Sequence, residues 1–264
     1  MPTGTNKRQF YAVQAVGFAT LGTNIDTPSG YRAAKGVQSV AHNVNFNVEP
    51  VFQLGQLDIY ENVEDIPQVE ATVEKVIDGY ALIEHLATPT ATASTLAGRF
   101  NDGRCMIAVA YYPMTFDSAS GLPLAAAIMS GMYVQSINWN IPVQGNITES
   151  VTFVSNDRYW DSTITQIPWT SGTQFPGNDV PVTASGGVLK RENVIHAGSV
   201  WPSGIPGITA TGSNNLQSDG SYATHIQNVT VGVTLGRTEL FELGSRRPYF
   251  RYVEFPTEVT TTIE

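Results

Sequence analysis

A period of two in the apolar residues is what most constrains the fold of this sequence. Successive side chains of a strand point to opposite faces, so alternation marks strands with one buried face. Val44, Phe46 and Val48 alternate with Asn45, Asn47 and Glu49, and Val69, Ala71 and Val73 with Glu70, Thr72 and Glu74. Ile137, Trp139, Ile141 and Val143 alternate with Ser136, Asn138, Asn140 and Pro142, a proline that suits a strand end or sheet edge. The pattern returns at Val229, Val231 and Val233, at Val253 and Phe255, and at Val259, Thr261 and Ile263. The run Cys105 to Tyr112 is almost wholly apolar and reads as a strand buried on both faces, with Cys105 as a small core hydrophobe.

Helical periodicity is scarce. Tyr80 to Leu86 suits two turns ahead of Pro89, and Ser94 to Phe100 a short helix closed by Asn101-Asp102-Gly103. Glu239 to Leu243 suits one helical turn before Gly244. The expected fold is therefore mainly β: a barrel or sandwich core with one or two short helices and a long Gly/Pro-rich insertion. The insertion, 162–224, holds turn-forming clusters such as Pro-Gly-Asn-Asp and Gly-Ser-Asn-Asn, with Trp169, Phe175 and Trp201 inside it and Trp160 beside it. These aromatics predict an ordered insertion within a β core made of 1–161 and 225–264.

Composition excludes several classes. The chain has 264 residues, of which 14% are charged, against roughly 25% in an average globular protein. Its net charge of −9 disfavours gripping nucleic acid, which needs Lys and Arg on the phosphates. A lone cysteine allows neither an internal disulfide framework nor a cysteine-cluster zinc site. No apolar leader follows Met1 and no run reaches the ~20 residues of a membrane helix, so a soluble chain with no membrane partner is expected.

The search for chemistry returns little. No two of His42, His85, His196 and His225 stand at a metal-ligand spacing. His85 beside Glu84 reads as a partly buried helix histidine, since adjacent helical residues point apart. Neither a phosphate-cradling glycine motif nor a Gly-x-Ser-x-Gly elbow is present. Acidic residues crowd between Asp58 and Asp78 without the spacing of an EF-hand loop. The basic-aromatic cluster at 244–252 carries Arg246, Arg247 and Arg251, which suit either nucleic-acid contact or ion pairs, internal or with a neighbouring subunit. No catalytic residue, cofactor or metal is expected.

Residues 48–67 (VEPVFQLGQLDIYENVEDIP) and 69–79 (VEATVEKVIDG), followed near the C-terminus by 239–244 (ELFELG), 248–252 (PYFRY) and 255–260 (FPTEVT), resemble the tail tube, or major tail, proteins of tailed bacteriophages. The resemblance does not extend to the N-terminal stretch or to 162–224. It implies a non-enzymatic virion protein, assembled in the host cytoplasm, whose β subunits form rings, usually hexameric. The rings stack into a hollow tube through which DNA passes without specific binding. Implied partners are further copies of the chain, a tape-measure protein, baseplate and tail-terminator proteins, and in contractile tails a sheath.

Under that resemblance, Glu61, Glu64, Asp65, Glu70, Thr72 and Glu74 are expected on the lumen or on an inter-ring surface, and Arg246, Arg247 and Arg251 in ion pairs between subunits. Two alternatives stand beside it. One is another β-rich virion component, a capsid decoration or baseplate protein. The other is a carbohydrate-binding or carbohydrate-active β-sandwich, suggested by Trp160, Trp169 and Trp201 near Asp157 and Asp161.

Overall fold

The computed structural model describes residues 9–20, 32–46, 48–55, 57–88, 104–113, 123–162, 187–194, 226–245 and 248–264. The chain is mainly β with antiparallel pairing. In order the strands are β1 (Gln9–Thr20), β2 (Arg32–Ala33), β3 (Val37–Asn45), β4 (Val48–Phe52), β5 (Ile59–Glu64), β6 (Gln68–Val76), β7 (Cys105–Pro113), β8 (Ala125–Pro142), β9 (Thr148–Ser155), β10 (Asp157–Asp161), β11 (Asn228–Thr234), β12 (Arg237–Leu240), β13 (Phe250–Val253) and β14 (Glu258–Ile263). Among the described residues between β6 and β7 is a short helix, α1 (Ile83–Ala87).

The 18-residue strand β8 organises the sheet. Along one flank it pairs first with β10 and then with β9. Along the other its N-terminal half pairs with β7 and its C-terminal half with β11. The break falls at Gly131, which takes φ +63°, where the register with β7 slips between Cys105↔Met132 and Ile107↔Met129. A bulge at a residue free to enter the left-handed region bends the strand. The path β2-β1-β7-β8-β9-β6-β3 then curls over on itself, so that Phe18 of β1 meets Phe153 of β9 with ring centroids 5.8 Å apart. This is a sandwich-like arrangement with one main core.

That core follows the alternation. Val69, Ala71 and Val73 of β6, Val151 and Phe153 of β9 and Ile137 of β8 are buried against Val16 and Phe18 of β1. Strand β7 is buried on both faces as expected. Cys105, Ile107 and Val109 enter the main core, while Met106, Ala108, Ala110 and Tyr112 enter a second cluster with Ala126 and Ile128. Burial pushes the Cys105 thiol far up, which fits an inert core residue. Helix α1 packs Ile83, Leu86 and Ala87 into the main core and touches β1, β8 and β9.

Several local expectations are corrected. Glu239 to Leu243 is not a helical turn: Glu239 and Leu240 end β12, which pairs with β13, and a tight bend follows at Leu243-Gly244. The helix predicted from Tyr80 begins at Ile83. The alternation Val44-Phe46-Val48 spans two strands, with Phe46 exposed between them. Strand β13 stops at Val253, leaving Phe255 exposed. His85 is exposed, 3.6 Å from Glu84. The helix expected over 94–100, along with His196, His225, Trp169 and Trp201, lies outside the described residues, as does the expected insertion apart from Ser162 and 187–194.

Candidate self-assembly surfaces

The registers of β3, β6, β9, β8, β11 and β14 align their outward residues into continuous rows. One row runs Ser39, Glu74, Ser150, Asn138, Gly232 and Thr260. The next runs Ala41, Thr72, Thr152, Ser136, Thr234 and Glu258. Asn43 and Glu70 extend the face at one end, and Thr148, Asn140, Thr230 and Thr262 at the other. None of these side chains is buried, and none is Lys or Arg. Thr72 and Thr152 share a hydroxyl–hydroxyl hydrogen bond of 3.3 Å, and Ser39 donates to Glu74 over 3.2 Å. The result is a sheet face six strands wide, polar and acidic, whose opposite side packs on the apolar core from β3 to β11 while β14 is exposed on both sides. Among the described strands, β3 pairs with β6 alone and β14 with β11 alone, so these two strands are the outer ones of this sheet. An unpaired sheet edge is a template for pairing with another chain.

The second surface is the hairpin β4–β5. Every described residue of both strands is exposed, and no other described element packs substantially against them. Large apolar side chains nevertheless populate it: Phe52 is 64% exposed, Tyr60 62%, and Leu54 and Leu57 at the tip are fully exposed. An isolated two-stranded hairpin is marginal in water, and a contiguous apolar patch rimmed by charge marks an interaction site. Residues 48–65 also hold Glu49, Asp58, Glu61, Glu64 and Asp65 with no Lys or Arg.

The predicted acidic residues therefore divide. Glu70, Thr72 and Glu74 lie on the broad sheet face, whereas Glu61 and Glu64 lie on the hairpin and Asp65 at its root, where Asp65 accepts from the Ile66 N–H at 2.7 Å. The expectation of an inter-subunit ion pair at Arg251 is corrected. The β12–β13 register sets Glu239 directly opposite it, the two form an ion pair, and Arg251 also donates to Asn156 Oδ1 over 2.9 Å. Its side chain is buried within its own subunit. Arg246 and Arg247 lie outside the described residues.

Two polar clusters arise from residues distant in sequence. Glu149 of β9 is buried opposite Lys75 of β6, also buried. Its carboxylate accepts from the Ile83 N–H at 2.8 Å and more weakly from the Glu84 N–H at 3.5 Å, so it caps the first turn of α1 from a neighbouring strand. Lys75 donates to the Ala81 carbonyl over 3.0 Å and lies 3.2 Å from Asp78. Burial is the main cause pushing the Glu149 carboxyl up to about 7, and the two N–H donors and Lys75 offset it in part. In the other cluster, His42 Nε2 lies 2.6 Å from the Tyr111 hydroxyl and its Nδ1 is 3.1 Å from Arg158 Nη1. Arg158 can only donate, so Nδ1 accepts and Nε2–H donates to Tyr111. Burial first, and then Arg158, holds the His42 pKa below its ordinary value. Trp160, 54% exposed, packs 5.5 Å from the Tyr111 ring. Asp157, a candidate for sugar chemistry in the sequence, instead accepts from Ser130 at 2.5 Å.

Among the described residues no cluster of three or more His, Cys, Asp or Glu side chains has metal-holding geometry, and no helix is long and apolar enough to cross a membrane. No protein-family model matches the chain, and no curated protein matches its sequence.

Proposed function

We propose that this protein is a structural subunit that assembles with copies of itself into stacked rings forming a phage tail tube, with the broad polar sheet face lining the bore. The observation that carries this reading is the six-strand face without a single cation. Duplex binding depends on Lys and Arg neutralising phosphates, so a surface of carboxylates, hydroxyls, amides and small apolar residues lets a polyanion pass without holding it. Lateral pairing of β3 and β14, the outer strands among those described, with neighbouring subunits would close the face into a ring. The exposed apolar hairpin supplies the contact that a lone subunit lacks.

Negative-stain electron microscopy and sedimentation of the purified protein over a range of concentrations test this reading. Annular particles and tubes are expected. Monomers throughout, even with other tail components present, would overturn it. A closed oligomer that binds capsid shells and never elongates would favour a decoration protein instead.

A further inference from the structure

The β4–β5 hairpin and an exposed pair of adjacent cations, Lys190 and Arg191, sit at opposite ends of the same strand. The hairpin enters β6 through residues 65–67, next to the Asn45↔Gln68 pair. At the far end, Leu189 N–H donates to the Ile77 carbonyl over 2.8 Å and Ile147 N–H to the Leu189 carbonyl over 3.1 Å. These bonds pin the segment 187–194 beside the end of β6 and the β8–β9 turn. Lys190 and Arg191 follow directly and are exposed. With Val143, Asn146 and Glu192 they line an open cleft of about 420 Å³. Val188, 41% exposed, stands on the same segment. Nine residues of extended chain separate the two ends by about 30 Å.

We infer that the hairpin of one subunit docks in the Lys190–Arg191 cleft of a second copy of this chain. Charge complementarity selects this occupant. The hairpin has exposed carboxylates at Glu49, Asp58 and Glu61 and no cation, while the cleft places Lys190 and Arg191 against the lone carboxylate of Glu192. Apolar contact adds to it, since Leu54 and Leu57 would cover Val143 and Val188. The geometry makes the contact heterologous: one end of a subunit meets the other end of the next. A head-to-tail contact that does not close on itself propagates as a filament. The inference rests on the self-assembly proposed above and assigns the axial contact, with the sheet edges left for the lateral one.

Mixing two single-cysteine variants, Leu54→Cys and Gln144→Cys, under mild oxidation tests the contact; the native Cys105 is buried and does not compete. The 54–144 heterodimer should exceed both homodimers and the product of Leu54→Cys with Ser39→Cys. Reversing charge with Lys190→Glu and Arg191→Glu should weaken assembly by about tenfold or more, and Asp58→Lys with Glu61→Lys should restore it in the combined variant. Normal tubes with no 54–144 heterodimer would overturn the docking while leaving the tube reading intact. Monomers with no cross-link would overturn both.

Discussion

Glu149 offers a direct test of how the fold holds α1. The carboxyl is fully buried, faces Lys75 across the β6–β9 ladder and accepts the first N–H groups of a helix that has no side-chain cap of its own. Burial raises it from 4.5 to about 7. Between those values the folded state binds a proton that the unfolded chain has released, so stability falls as pH rises from about 4.5 to 7. At about 1.4 kcal/mol per pKa unit, the contribution is on the order of 3 kcal/mol. Glu149→Gln keeps an oxygen for the Ile83 N–H but carries no charge. In urea unfolding followed by circular dichroism, the stability of Glu149→Gln relative to the parent should therefore increase by about 3 kcal/mol between pH 4 and pH 8. Glu149→Ala removes the acceptor and strips Lys75 of an opposite charge, and should cost about 3–5 kcal/mol. A Gln-minus-parent difference that stays flat with pH, or that shrinks as pH rises, would refute the reasoning and make Glu149 an ordinary ion-paired carboxylate.

Three further outcomes are expected. Glu70→Lys with Asn138→Lys changes only exposed side chains and should leave folding within about 0.5 kcal/mol of the parent, yet assemblies of it should retain duplex DNA at low salt and release it at high salt, read by co-sedimentation. Nitrogen-15 NMR of labelled histidine should find His42 in the Nε2–H tautomer at neutral pH and titrating below 6.5; an Nδ1–H tautomer would contradict the Arg158-His42-Tyr111 chain. Gly36→Ala should destabilise the fold by about 1–3 kcal/mol in thermal or urea unfolding. The residue holds φ +74°, and a Cβ would stand 2.6 Å from Asp78 Oδ2.

Much of the fold was legible because burial in a sheet leaves a period of two. That period located β6, the C-terminal half of β8 and β11, and the unbroken apolar run of β7 announced burial on two faces; β14 keeps the alternation although all of its residues are exposed. It failed where a local pattern was met by a different partner. Glu239 to Leu243 has helical spacing, but pairing with β13 determines its conformation. Phe46 and Val48 continue an alternation whose core ends at Val44. The site was half legible. Glu70-Thr72-Glu74 could be placed on a polar face, but whether that face carries cations depends on the registers of five other strands. Arg251 could be assigned to ion pairing, but its internal partner emerged only from the β12–β13 ladder. His42, Tyr111 and Arg158 are separated by 69 and 116 positions in their pairings, so no spacing rule brings them together. The apolar hairpin has a sequence signal of its own: Val48 to Val63 keeps its hydrophobic residues without any companion strand pattern to cover them.

The most direct measurement of the central claim is a cryo-electron microscopy reconstruction of the assembled protein at a resolution that traces β6. Glu70, Thr72 and Glu74 should face a continuous bore, with β3 and β14 of adjacent subunits side by side around it. A tube with this face turned outward, or a closed particle without a bore, would contradict the account.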